Sequence, residues 1–141
     1  MWQTKKFHEL TTLELWQIYY LRTAIFVVEQ NCPYQEVDEQ DLSATHLFAK
    51  HNENLTAYCR IINDEDYVKI GRVIVAKEAR GSGFARKLML QAIEFAQKQA
   101  KPIKIQAQSY LQSFYKSLGF QATSEVYLED GIPHLDMVYN V

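Results

Sequence analysis

Residues 70–100 constrain this chain more than any other stretch. A β-branched run, IGRVIV (70–75), leads through AKEA into Arg80-Gly81-Ser82-Gly83-Phe84-Ala85, which opens directly into RKLMLQAIEFAQKQA. The run predicts a strand. Leu88, Met89, Ala92, Ile93 and Ala96 then recur at the spacing of one buried helix face. A strand entering a glycine turn that starts a helix aims unpaired backbone N–H groups, and the positive end of the helix dipole, at one point. Such a point suits phosphate, and Arg80, Arg86 and Lys87 add formal positive charge. Bases in a first helical turn cost stability unless an anion sits beside them. Gly81 and Gly83 permit positive φ and a close backbone approach to a ligand.

Two common phosphate-binding patterns do not fit. A P-loop needs Gly-Lys-Ser/Thr at the helix start, where this turn has Gly83-Phe84-Ala85. A dinucleotide fold needs its glycines almost directly after the strand and an acid closing the next one. Here residues 76–80 intervene, and the next apolar run, 103–107, is followed by Gln108. Arg/Gln-x-x-Gly-x-Gly/Ala does fit, and Tyr115-x-x-x-Gly119-Phe120 follows in the order strand, turn, helix, strand, motif. Together these elements resemble the GNAT N-acetyltransferases. The resemblance implies that the turn from Arg80 through Gly81, Ser82, Gly83, Phe84 and Ala85 to Arg86 holds the pyrophosphate of acetyl-coenzyme A (acetyl-CoA) as co-substrate.

The rest of the chain is compatible with that reading. Its 141 residues predict one domain, 1–141, with 48% hydrophobic and 23% charged residues, the balance of an ordinary soluble protein. Net charge is −2 with no basic run, which argues against nucleic acid as a partner. No apolar stretch reaches the roughly 18–20 residues of a membrane span. MWQTKKFHEL lacks the apolar centre of a signal peptide, so a cytoplasmic location is expected. Cys32 and Cys59 form no CxxC and read as free thiols in a reducing compartment. No metal is expected, and the sequence is compatible with a homodimer.

Periodicity supplies the order of elements. WQTKKF predicts a first strand; Thr11-x-x-Glu14 reads as a capping box for a helix whose apolar face is Leu15, Ile18, Tyr19, Ile25 and Phe26. An acidic loop (29–45) follows, then strands at 46–51 and 55–62, joined at Asn52-Glu53-Asn54, and a central strand at 67–75. After the helix from Gly83 come a strand at 103–107, a helix at 111–118 ended by Gly119, and two strands near 125–128 and 134–139. This predicts an α/β (α+β) fold: a single mixed, mostly antiparallel sheet with a central βαβ unit and flanking helices. The GNAT fold has that order.

Acetyl transfer from a thioester to an amine poses three problems. The amine must lose a proton, because an amine of pKa about 10.4 is less than ~1% neutral at pH 7.4. The oxyanion must be stabilised, and the thiolate must be accommodated as it leaves. The resemblance implies that backbone groups of Val73, Ile74 and Val75 bind pantetheine and polarise the acetyl carbonyl. It assigns Tyr115 as general acid, a phenol that stays protonated at neutral pH. Gln108 stands where many members carry a pantetheine-binding Asn. Many members also place a Glu on the central strand, whereas this strand offers Arg72. The proton acceptor is therefore a water relay or one of Glu29, Asp38, His46, Glu125 and His134, with Glu29 and His134 carried forward as catalytic candidates.

Both ends of the chain narrow the resemblance to an ElaA-like branch. Arg22-x-x-x-Phe26-Val27-x-Glu29-Gln30-x-x-Pro33, followed by Asp38, Asp41 and His46, is similar to its N-terminal region. Gly131-Ile132-Pro133-His134-x-x-Met137 is similar to its C-terminal hairpin. Between Thr23 and Thr45 stand Glu29, Glu36, Asp38, Glu39 and Asp41 with no Lys or Arg. That loop is either solvated or a negative rim for a cationic amine, with Glu29, Asp38, His46 and His134 as acceptor-binding residues. Arg22 is expected to pair with one of its acids. The leading function is N-acetyl transfer to a primary amine by direct attack. The alternatives are an acyl-CoA-binding regulatory module without turnover and a purely structural domain.

Overall fold

Eight strands form one mixed sheet in the computed structural model, which describes residues 2–140. Strand β1 (Trp2–Lys6) lies at one edge, followed by β2 (Thr45–His51), β3 (Asn54–Asn63) and β4 (Val68–Val75), each antiparallel to its neighbour. β5 (Ile103–Gln108) runs parallel to β4 and pairs on its far side with β8 (Ile132–Tyr139). β8 in turn holds β6 (Gln121–Ala122) and β7 (Tyr127–Glu129). The short β6 is absent from the sequence-based reading; two residues carry no detectable alternation.

Helices cover both faces, and strand alternation decides which side each residue joins. Helix α2 (Phe84–Gln97) buries Leu88, Met89, Ala92, Ile93 and Ala96, the five residues its periodicity predicts, against Leu47, Ala57 and Cys59. On the opposite face Ile18 and Ile25 pack on Phe48, Tyr58 and Ile74. Thus Leu47 and Phe48, adjacent on β2, go to opposite cores, as period-two geometry requires.

Helix α1 (Thr12–Arg22) begins at the predicted capping box. Thr11 Oγ1 accepts from the Glu14 N–H at 3.0 Å, and Glu14 Oε1 accepts from the Thr11 N–H at 2.9 Å. The helix ends earlier than its apolar pattern suggests. From Thr23 to Glu29 the chain is a π-helix, continued by Gln30 N–H on Ile25 O at 3.1 Å and Cys32 N–H on Val27 O at 3.0 Å. A seven-residue segment spans less than two turns, too short for apolar spacing to separate a wider period from 3.6.

Two irregularities in β4 shape the centre of the sheet. Tyr58 pairs with Ile74 and Arg60 with Gly71, so β4 carries one extra residue, a bulge. Arg72 sits there at φ 52°, in the left-handed region, at a cost of about 1–2 kcal/mol. The bulge reverses the alternation: Val68 and Ile70 face the α2 core before it, and Val73 and Val75 face that core after it. The second irregularity is a splay. β4 and β5 share only the pairs Val68–Ile103 and Lys69–Lys104, and then part.

Helix α3 (Gln112–Ser117) follows β5 and stops at Gly119. Gly119 adopts φ 110°, and a Cβ there would lie 2.8 Å from Tyr139 Cε2. Both conformation and space therefore demand glycine, which lets Phe120 N–H return to Tyr115 O at 3.1 Å. No helix among the described residues is long and apolar enough to cross a membrane.

Candidate active site

The splay opens a cavity of about 690 Å³ between β4 and β5. That size suits a small-molecule ligand. From residue 70 onward, the β5-facing backbone groups of β4 have no strand partner, and Val73, Ile74 and Val75, the residues singled out by the family resemblance, line the cavity. Beyond the strand, the turn leads into α2. Its cap residue, Gly83, is left-handed at φ 80° and provides no side-chain cap. The N–H groups from Gly81 to Arg86 find no backbone acceptor, the first helical bond being Lys87 N–H to Gly83 O. A serine or aspartate cap would occupy some of these donors. Here they stay free, and a Cβ at Gly81 or Gly83 would meet nothing within 4 Å. Free donors, a helix N-terminus and unobstructed approach fit a pyrophosphate.

Arg80 and Ala85 line the cavity; Gly81, Ser82 and Gly83 form the exposed turn beside it. Ser82 Oγ is occupied by Ala79 O. Phe84 packs toward Trp2 at 6.4 Å, and Arg86 Nη1 donates to Ser117 Oγ at 3.2 Å. Arg80 is engaged by Glu29 through two hydrogen bonds of 3.0 Å and donates from Nε to Val75 O at 3.3 Å. The sequence reading had given Arg80 and Glu29 separate tasks; the structure joins them in one exposed ion pair.

Tyr115 reaches the cavity from α3 and is 6% exposed. Burial pushes its phenol well above the ordinary tyrosine value, so it remains a proton donor at neutral pH. Phe114 and Phe120 hold its ring edge-on at 5.2 and 6.0 Å. Gln108 ends β5 and pairs in register with His134 on β8, and both line the cavity. His134 Nδ1 lies 2.7 Å from Ile132 O. A carbonyl only accepts, so Nδ1 carries a proton, and in the neutral ring Nε2 then holds the lone pair. That is the tautomer a proton acceptor requires.

His46, anticipated on the acceptor side, is elsewhere. It is fully buried, its Nε2–H donating to Asp41 O at 2.9 Å while Tyr58 Oη donates to Nδ1 at 2.7 Å. Burial holds its pKa below the ordinary histidine value. Sequence had grouped it with the acidic loop by proximity; β2 carries its side chain inward instead. Glu125 is exposed and outside the cavity.

The acidic loop is also corrected, since it is no free negative rim. Arg22, fully buried, binds Glu36 Oε2 at 2.9 Å and Asp41 Oδ1 at 2.7 Å. Burial disfavours the Arg22 charge, yet the Asp41 and Glu36 contacts hold its pKa above the usual arginine value. Arg60 takes Asp38 Oδ1 at 2.7 Å and Asp41 Oδ1 at 3.0 Å. Arg72 Nη2 donates to Glu36 O at 2.8 Å and lies near Asp38. The hydrogen bond from Arg60 comes first among the causes that hold Asp38 below the ordinary carboxylate range. For Asp41, burial acts upward, but Arg22 and Arg60 outweigh it. Glu36, Asp38 and Asp41 are thus internal counter-ions. Arg60 and Arg72 had no loop signal in sequence, because their strands meet this loop only in three dimensions.

Among the described residues no three His, Cys, Asp or Glu side chains gather as a metal site. The Sγ of Cys32 donates to Asp130 O, and burial raises the Cys59 thiol far above the range in which thiolate forms.

Comparison with known proteins agrees with this geometry. The sequence model of the acetyltransferase (GNAT) domain matches residues 17–141. A UPF0039 protein of Schizosaccharomyces pombe is 47% identical over 138 residues, covering 94% of this chain and 92% of the relative. Protein ElaA of Escherichia coli is 42% identical over 147 residues, 99% of this chain and 96% of ElaA. The crystal structure of E. coli ElaA superposes with a TM-score of 0.95 over 99% of both chains. That of an acyl-CoA N-acyltransferase from Pseudomonas aeruginosa, 42% identical, superposes with a TM-score of 0.93, again over 99% of both chains. With a splayed β4–β5 pair, an uncapped glycine turn and a buried tyrosine meeting at one cavity, the chain belongs to the GNAT acetyltransferase family, in its ElaA-like branch.

Proposed function

We propose that the protein transfers an acetyl group from acetyl-CoA to a primary amine by direct attack, without a covalent enzyme intermediate. The observation that carries this reading is the shared cavity: open β4 backbone, a phenol and an imidazole lone pair converge on it. Acetyl-CoA supplies an activated thioester. The turn N–H groups and Arg80 hold its pyrophosphate, and Gln108 together with the unpaired β4 edge orients its pantetheine arm. Backbone N–H groups of 73–75 polarise the acetyl carbonyl in a site partly screened from water.

Two side chains then manage the protons. His134 Nε2 takes the amine proton, directly or through a water; Glu29 is the weaker candidate, because Arg80 holds both its oxygens. Tyr115 gives its proton to the departing thiolate. The test is thiol release from acetyl-CoA across a panel of primary amines. Turnover with at least one amine is expected, and Tyr115→Phe lowers kcat by ~10²-fold with the coenzyme-induced thermal shift retained. Near-normal turnover in that variant makes Tyr115 a packing residue. Coenzyme binding with no thiol release from any amine identifies a regulatory acyl-CoA module instead.

A further inference from the structure

The end of the cavity nearest the acidic loop has a chemistry of its own. The β4 bulge turns Lys69, Gly71 and Arg72 to one face of the strand, because residues 68, 70, 73 and 75 all occupy the other. Arg60 on β3 stands directly opposite Gly71, and all four line the cavity. Gly71 is outside the left-handed region, so its backbone does not require glycine. A Cβ there would meet nothing within 4 Å. What Gly71 provides is open space over the strand, bordered by one ammonium and two guanidinium groups.

Direct ion pairing in this corner leaves one base over, although Glu129 also lines the cavity. Arg22, Arg60 and Arg72 form ion pairs with Glu36, Asp38 and Asp41, and among the described residues no carboxylate is in contact with Lys69. The Lys69 ammonium is half-buried. Burial, and then the neighbouring Arg60 and Arg72 charges, lower its pKa, opposed by Glu129 and Asp38. Among the described residues the Nε of Arg60 is buried without a hydrogen-bond acceptor, whereas Arg72 Nε lies against the Glu36 carboxylate. Arg60 is itself 3% exposed, so bulk water does not readily serve it. An unpaired buried donor of this kind is costly and favours a ligand that brings an acceptor.

An anion resting over Gly71 would be two residues along β4 from Val73, closer than the roughly 7 Å of two extended residues because Arg72 between them is left-handed. That separation matches an amine and a carboxylate joined by a short carbon chain. We propose that the acceptor is an amino acid, its carboxylate seated over Gly71 between Lys69, Arg60 and Arg72 while its amine faces the acetyl group. This deepens, and rests on, the amine-acceptor reading above. It replaces a cationic acceptor with one carrying a negative group, because the loop acids already have arginine partners.

Binding separates this inference from turnover. N-acetylglycine, N-acetylalanine and N-acetylphenylalanine, each beside its carboxamide, are titrated calorimetrically onto protein saturated with coenzyme A. At least one acid is expected to bind ~10–100-fold more tightly than its amide, the ratio a charge-assisted contact gives. Lys69→Met should reduce that ratio below ~3-fold, and Gly71→Val, which fills the space, should do likewise. Retention of the coenzyme-induced thermal shift shows that each variant is folded. Equal binding of acid and amide throughout the set overturns the subsite, as does an undiminished ratio in Lys69→Met. Tighter binding of phosphoethanolamine than of every amino acid tested overturns the carboxylate in favour of a phosphate. Acid-selective binding without thiol release leaves the subsite standing and removes the catalytic reading.

Discussion

The two sides of this cavity, the one proposed for the coenzyme and the one proposed for the acceptor, are built from different materials. The first is backbone: an uncapped helix start, a glycine turn and a strand edge released by the splay. The second is side-chain charge: three arginines and three carboxylates interlocked beneath a loop that has little regular structure of its own. Backbone donors need no counter-ion and are indifferent to most substitutions. A buried charge cluster has no such tolerance, since each member leaves a partner exposed to an apolar interior. The difference separates shape from charge as the quantity that each side must preserve.

Four measurements press on that difference, beginning where the effect is largest. Arg22→Met leaves Glu36 and Asp41 without their principal buried partner and is expected to cost about 3–5 kcal/mol in urea unfolding. A loss below 1 kcal/mol would mean the loop is not held by charge. On the coenzyme side, Gly83→Val obstructs the approach to the turn. The thermal shift given by acetyl-CoA, worth about 2.7 kcal/mol at a concentration of 100 Kd, should vanish, whereas Arg80→Ala should only reduce it. A full shift in folded Gly83→Val protein would move the pyrophosphate elsewhere.

The third measurement is stability against pH. The unfolded chain protonates His46 near pH ~6.5, while the folded protein keeps it neutral to lower pH. The unfolded state therefore binds more protons, and stability falls as pH drops below ~6.5, by at most ~1.4 kcal/mol per unit from this group. Asp38 and Asp41, depressed by their arginines, add a further loss as pH falls below their ordinary value of about 4. His46→Gln should flatten the upper limb alone. The smallest effect concerns the bridge between the two sides. Glu29→Gln frees Arg80 from an exposed pair and should tighten acetyl-CoA binding by no more than ~3-fold, consistent with the modest worth of such pairs. Weaker binding would show that Glu29 positions Arg80 rather than competing for it.

Contiguity explains what sequence could reveal. The turn at 80–85, the α2 face and Tyr115 with Gly119 are local patterns, because neighbouring residues there solve a backbone problem together. Arg60 and Lys69 read as ordinary polar positions of strands, and Arg72 only as a departure from the family's glutamate. Their meeting with residues 36–41 depends on the β4 bulge, and one inserted residue is invisible to periodicity until the register is known. His46 misled for the same reason: its neighbours in sequence are acidic, but its strand direction, not its neighbours, decides where the ring lies. The pairing of Arg22 with loop acids was legible because a lone arginine on an apolar helix face needs a partner.

The β4–β5 splay has a consequence for solubility. Unpaired strand edges normally recruit edges of other chains, and proteins blunt them with charges, prolines or covering loops. Here two open edges lie in the middle of the sheet, facing each other from either side of the cavity. A foreign strand would have to enter past the exposed Arg80–Glu29 pair and lie beside Arg60, a buried charge already committed to the loop acids. A molecule that is narrow, amide-bearing and acidic meets no such obstacle. The fold thus keeps reactive backbone available to a small ligand while denying it to another polypeptide.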